Sequence, residues 1–163
     1  SDLAVGLYEK LRDQCPEVLN RLRRGLGLAE DEVAQWQAVS AGVCLHWSEQ
    51  RVLEQFGGFF ALEDVDLHAF EPRSVPMDVL LGKLRTQKSK VIKQADVLML
   101  VILLPGMFST SEARTNFDYY EPLTGHGSSL SPGIHATIAA RLGRTETAYR
   151  YFQETAEIGR AHV

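Results

Sequence analysis

Apolar positions recur every three or four residues through the first forty residues of the chain. Leu3, Leu7, Tyr8 and Leu11 fall on one face of a helix over residues 2–12. Pro16 opens a second helix, PEVLNRLRRGLG, expected to turn Leu19, Leu22 and Leu26 inward, with arginines near its end and stops at Gly25 and Gly27. A third, over residues 30–42, carries Val33, Trp36, Val39 and Ala41.

The period then fails. EQFGGFFALEDVDLHAFEPRSVP, Glu54–Pro76, holds two prolines and a Gly-Gly pair and reads as one long irregular loop. Such loops inside compact domains tend to be functional or tightly packed, and Phe56, Phe59, Phe60 and Phe70 argue for packing. The helical signal returns over Met77–Leu84 and Lys90–Leu104, the latter ending at Pro105-Gly106. Ser109 or Thr110, with Glu112 placed for a capping box, starts a helix that runs through Tyr120. Ser131 is the expected N-cap of PGIHATIAARLG, with Pro132 in its first turn and Gly143 as its stop. A last helix covers about residues 145–155. Strand signal is nearly absent, so the pattern predicts an all-α fold of antiparallel helices with one irregular loop and no internal repeat.

Composition narrows the function. A chain of 163 residues fits one domain or a piece of a larger one, and 45% hydrophobic residues suffice for a buried core. The net charge of −4 offers no basic face for nucleic acid. The longest apolar run, Val97–Leu104, is far too short to span a membrane. Cys15 and Cys44 lack metal-ligand spacing, and no secretory segment is visible. Two buried free thiols in a reducing compartment, the cytoplasm, are expected.

Chemistry concentrates in two stretches. YYEPLTGHGSSLSPGIHA, Tyr119–Ala136, sets hydroxyls, two glycines and a histidine before a helix. A helix N-terminus presents unpaired amides and the positive end of a dipole, which suits an anion. Gly125 and Gly127 let backbone bend and approach a ligand closely, Thr124, Ser128 and Ser129 add hydroxyls, and His126 can donate from its ring. No carboxylate lies between Thr124 and Ser131. The plain alternative is a serine-rich cap, for which Ser131 alone would suffice. In KSKVIKQADVLMLVILL, Lys93 and Gln94 open an otherwise apolar helix; together they could grip sugar hydroxyls, or Lys93 could simply snorkel to solvent.

VIKQADVLML (Val91–Leu100), NFDYYEPLTGHGSSLSPGIHA (Asn116–Ala136) and EQFGGFFALEDVDL (Glu54–Leu67), in their chain order, resemble glycoside hydrolase family 65, the maltose, kojibiose and trehalose phosphorylases. The resemblance covers residues 1–156. It implies the later part of an (α/α)6 barrel catalytic domain, an incomplete barrel fragment. The implied reaction splits an α-glucosyl disaccharide with phosphate and inverts the anomeric centre to give β-glucose 1-phosphate. One carboxylic acid protonates the leaving oxygen while the nucleophile enters from the opposite face. Inorganic phosphate is the co-substrate, and no cofactor or metal is implied.

By the same resemblance Ser128 and Ser129 hold phosphate within a loop completed by Thr124 and His126, and Lys93 and Gln94 bind the glucosyl residue. Gly127 departs from the pattern, where an acidic residue often stands. Hydrolytic members carry a carboxylate base near the phosphate position; Asp118 and Glu121 are the nearest candidates, and each also reads as the polar end of the preceding helix.

The resemblance places the general-acid glutamate and the acceptor loop upstream of this segment, and a further phosphate-binding histidine downstream. No catalytic residue is therefore expected in the chain, which would be inactive alone, and the parent enzyme is expected to be a homodimer. The chain opens Ser-Asp-Leu without an initiator methionine, in keeping with a truncated segment. Residues 157–163, EIGRAHV, leave the family pattern and match a translated sequencing adapter in one frame, so a non-native tail is expected there and His162 is not enlisted as a ligand. Competing readings are a hydrolase of the same fold and a helical module without chemistry. Apolar surface on the inner helices, with self-association or marginal stability, is also expected.

Overall fold

The computed structural model describes residues 2–29, 31–71, 75–126 and 130–160, and resolves two compact units, 1–45 and 46–163. Helices make up the regular structure of the described residues, with isolated β-bridges in place of strands. The all-α expectation holds.

In the first unit, α1 (Asp2–Gln14) packs against both α2 (Pro16–Leu26) and α3 (Glu32–Gly42). Pro16 lies in the first turn of α2, where its missing N–H costs nothing. Gly27 ends the helix in the left-handed conformation (φ 66°), its N–H donating to the Arg23 carbonyl. Leu19 is the buried residue of α2, whereas Leu22 and Leu26 are exposed, against expectation. Leu3 and Leu7 are exposed too, and α3 buries nothing fully. Both cysteines are free and exposed rather than buried: Cys15 sits at the junction of α1 and α2, and Cys44 in the extended segment after α3.

The second unit carries a true core. Its long loop has short 3-10 turns at Phe59–Ala61 and Leu67–Phe70 as its regular structure. Two short helices follow, α4 (Met77–Leu81) and α5 (Lys83–Gln87), where the apolar pattern predicts one. Gly82 breaks them with φ 73° and ψ 155°, a region only glycine enters readily. Helix α6 spans Asp96–Leu103, starting six residues later than predicted; Lys93 and Gln94 precede it in a bend. Helix α7 (Thr110–Tyr120) opens with the expected box: Ser109 Oγ accepts from the Glu112 N–H, and the Glu112 carboxylate accepts from the Ser109 N–H.

Helices α8 (Leu130–Arg141) and α9 (Thr145–Arg160) form an antiparallel pair, turned at Gly143 (φ 74°). Gly133 faces Thr155, and the rings of His135 and Tyr151 lie 5.1 Å apart. Ser131 falls inside α8 and is not its N-cap. Phe59, Leu98, Phe117, Tyr120, Ile138 and Ala139 make the centre of the core. Buried Asn116 secures the irregular segment to α7, its Oδ1 accepting from Leu53 N and its Nδ2 donating to the Arg51 and Glu112 carbonyls. A smaller cluster of Val65, Leu67 and Met77 anchors the later part of the loop.

Candidate functional site

Two chain segments of the second unit are joined backbone to backbone. Ile92 N donates to the Leu123 carbonyl at 3.0 Å, and Gly125 N donates to the Ile92 carbonyl at 2.8 Å. This parallel bridge fixes the loop before α8 beside the residues that lead into α6. Lys93 and Gln94 thus leave the bridge on one side, and Gly125 and His126 on the other.

Three adjoining cavities follow from the bridge. The first, about 430 Å³, is walled by Lys93, Gln94, Gln55, Phe56 and Asp96 among others. The second, about 170 Å³, lies between Lys93, Met77, Asp78 and Gly125. The third, about 600 Å³, is lined by Thr124, Gly125 and His126 together with Glu121, Arg150, Tyr151 and Glu154. Lys93 borders the first two, and Gly125 the last two. Lys93 and Gly125 thus meet at the second cavity, with Gln94 on the first and Thr124 and His126 on the third. Lys93 is exposed, its Nζ 4.0 Å from the Asp78 carboxylate, a loose pair that leaves the ammonium available.

Thr124 is only 3% exposed, and its hydroxyl donates to the Tyr120 carbonyl at 2.7 Å. It shapes the loop; its hydrogen is not available to an anion. Gly125 does not supply the bend expected of it. Its φ is not positive, and what it permits is close approach: a Cβ there would lie 3.3 Å from Met77 Cγ. The left-handed residue is His126 (φ 45°), unusual for a side chain of its size.

The His126 ring is fixed on several sides. Its Nδ1 lies 3.1 Å from Ser131 Oγ, and its ring centroid lies 4.7 Å from that of His135 and 5.0 Å from that of Tyr151. His135 is completely buried; its Nδ1 donates to the Ser131 carbonyl at 2.8 Å, and burial pushes its pKa down. Burial, followed by donation to the Glu121 carboxylate at 2.6 Å, raises the Tyr151 phenol. Arg150 donates to the same Glu121 oxygen at 3.1 Å and covers the Tyr151 ring. Burial also holds the Glu154 carboxyl above its ordinary range.

Of the expected site residues, Lys93 and Gln94 line one cavity and Thr124 and His126 another, while Ser128, Ser129 and Gly127 lie outside the described residues. The two carboxylates considered as hydrolytic bases are engaged: Glu121 by Tyr151 and Arg150, and Asp118 by Arg144 at 2.5 Å. Sequence reasoning missed the cavity walls Gln55, Phe56 and Asp96 and the support from Ser131, His135 and Tyr151. The five-residue step from His126 to Ser131 across a helix start was the available signal for the latter.

The model of the glycosyl hydrolase family 65 central catalytic domain matches residues 7–161. A kojibiose phosphorylase of Halothermothrix orenii is 35% identical over 96% of this chain and 20% of its own length. An α,α-trehalose phosphorylase of Thermoanaerobacter brockii is 29% identical over the same shares, and a maltose phosphorylase of Bacillus subtilis is 32% identical over 83% of this chain and 18% of its own. A solved structure described as a candidate kojibiose phosphorylase from human microbiome superposes with a TM-score of 0.71, at 30% identity, over 82% of this chain and 19% of that one. The chain spans about a fifth of the length of the curated relatives it matches. It has the fold of a partial α/α barrel, and it belongs to glycosyl hydrolase family 65.

Proposed function

We propose that this segment carries the donor-sugar and phosphate seats of an inverting glycoside phosphorylase. That enzyme cleaves an α-glucosyl disaccharide with phosphate to β-glucose 1-phosphate and a free sugar. The observation that supports the reading is the Ile92 bridge, next to which Lys93 and Gly125 line one cavity. An inverting displacement requires its nucleophile on the face opposite the leaving group, so sugar and phosphate must bind side by side. Holding the two together replaces a bimolecular encounter, an effect worth several kcal/mol, on the order of 7–11 when alignment is ideal.

In this reading Lys93 and Gln94 bind the glucosyl hydroxyls. Ser128, Ser129 and His126 hold phosphate ahead of α8, with the helix dipole favouring its charge. Thr124 sets the loop's shape from within. The relatives named for kojibiose, trehalose and maltose share a glucosyl donor and differ in the hydroxyl of the second glucose to which it is linked. A segment of donor and phosphate seats suits all three, and the acceptor and the general acid then belong to other parts of the catalytic domain. Phosphorolysis is favoured over hydrolysis because Glu121 and Asp118 are both held in ion pairs, where a general base would be poorly placed to accept a proton.

The test is a full-length family enzyme carrying this segment in place of its own. Glucose 1-phosphate release that depends on inorganic phosphate is expected, and Lys93→Ala should cut kcat/KM by about tenfold or more, as loss of a charged hydrogen bond predicts. Cleavage that ignores phosphate would overturn the assignment in favour of a hydrolase.

A further inference from the structure

The aromatic residues of the long loop pack, with one conspicuous exception. Phe59 is buried and Phe60 leans on Tyr119, but Phe56 is 54% exposed, held edge-on to Phe59 at 5.4 Å. It lies on the wall of the cavity that Lys93 and Gln94 share. On the same cavity, Asp96 opens α6, and its Oδ2 accepts from Gln55 Nε2 at 3.0 Å. That bond fixes the Gln55 amide, because the reversed orientation would set its oxygen against the carboxylate. The amide's Oε1 is buried and has no protein partner.

These features have one chemistry in common. A hexose in its chair presents a face of C–H groups, which suits an aromatic ring, and a rim of hydroxyls, each both donor and acceptor. Lys93 can only donate, so a wall of lysine and carboxamide is short of strong acceptors. A carboxylate supplies them, and a hydroxyl bonded to an ionised acceptor is held about twice as firmly as one bonded to a neutral group.

We infer that Phe56 and Asp96 are further contacts to the glucosyl residue, Phe56 as the platform under its C–H face and Asp96 as a hydroxyl acceptor, with Gln55 as the positioning residue that aims Asp96. The inference rests on the reading of Lys93 and Gln94 as the sugar seat and adds further lining of the same cavity. The Phe56 ring and the Asp96 carboxylate set which hydroxyls the seat accepts, so discrimination between glucose and its epimers lies here.

The experiment titrates the 163-residue chain with D-glucose and follows backbone amides by NMR. In the wild type, shifts are expected at residues 93–97 and at 55 and 56. Phe56→Leu and Asp96→Ala should each weaken binding by about tenfold. Asp96→Asn keeps the volume and a partner for Gln55 and should still weaken it, which separates lost charge from lost fold. Gln55→Ala should weaken binding less, and should add nothing once Asp96 is alanine, the mark of a residue acting through another. Binding lost in Lys93→Ala but unchanged in Phe56→Leu and Asp96→Asn would overturn this inference and leave the sugar seat standing. Binding that survives Lys93→Ala and Gln94→Ala but fails in Asp96→Asn would overturn the seat's assignment and keep the wall. Absence of any glucose-dependent shift in the wild type would remove both.

Discussion

Glu112 joins two jobs in one side chain. It closes the capping box of α7 and accepts from Arg51 Nε at 2.8 Å, linking the helix start to the irregular segment before the long loop. The Ser109 backbone N–H, then Arg51 and the Ser109 hydroxyl, hold its pKa at about 2 against an ordinary 4.5. The folded state therefore releases this proton more readily than the unfolded chain does. The resulting stability is complete above pH 4.5 and fades as pH falls toward 2. Glu112→Gln should lower the urea midpoint at pH 7 and narrow the difference between pH 7 and pH 3. Equal pH dependence in variant and wild type would show that Glu112 does not carry the acid limb. The box was legible from Ser109 and Glu112 alone, because its partners are three residues apart. Arg51 was not, since the pairing spans sixty-one positions and needs the loop's path.

At the scale of elements, Gly82 decides how the chain enters the site. The apolar pattern over 77–84 calls for one helix, yet α4 stops and α5 begins at a residue with φ 73° and ψ 155°. Met77 at the start of α4 packs under Gly125, and Thr86 in α5 borders the two smaller cavities, so the break lets both flank the cavities. Gly82→Ala should cost about 1–3 kcal/mol in chemical denaturation, the usual toll of a side chain in that region. A neutral effect would mean that the two helices merge without loss. The same logic explains which expectations held. Long helices such as α7 and α9 were readable because their caps and stops are local: Ser109, Gly143. The delayed start of α6 was not, because backbone pairing of Ile92 with Leu123 and Gly125 takes the preceding residues out of the helix. Ser131 was misread for a similar reason, its hydroxyl being taken up by His126. The candidate residues stood out by type, but that Lys93 and Gly125 line one cavity depends on that one tertiary bridge.

For the whole molecule, the distribution of apolar surface is uneven. In the first unit Leu3 is 92% exposed, and Leu7, Leu26, Val39 and Val43 are exposed as well, with Leu19 as the unit's buried hydrophobic side chain among the described residues. In the second unit Leu103, Leu104 and Met107 stand exposed at the end of α6, beside a core that is otherwise well filled. Isolated apolar residues on a surface mean little, but runs along the same helices act as adhesive faces. Each exposed leucine that finds cover gains about 1.5–3 kcal/mol, so a few together outweigh the entropy of ordering a second chain at micromolar concentration. The 163-residue chain is therefore expected to self-associate, with a sedimentation coefficient that rises with protein concentration. Leu3→Gln, Leu7→Gln and Leu26→Gln together should shift the distribution toward monomer without lowering the melting temperature of the second unit's core. A wild-type chain that sediments as a monomer across that range would show that these leucines find their cover within the chain itself.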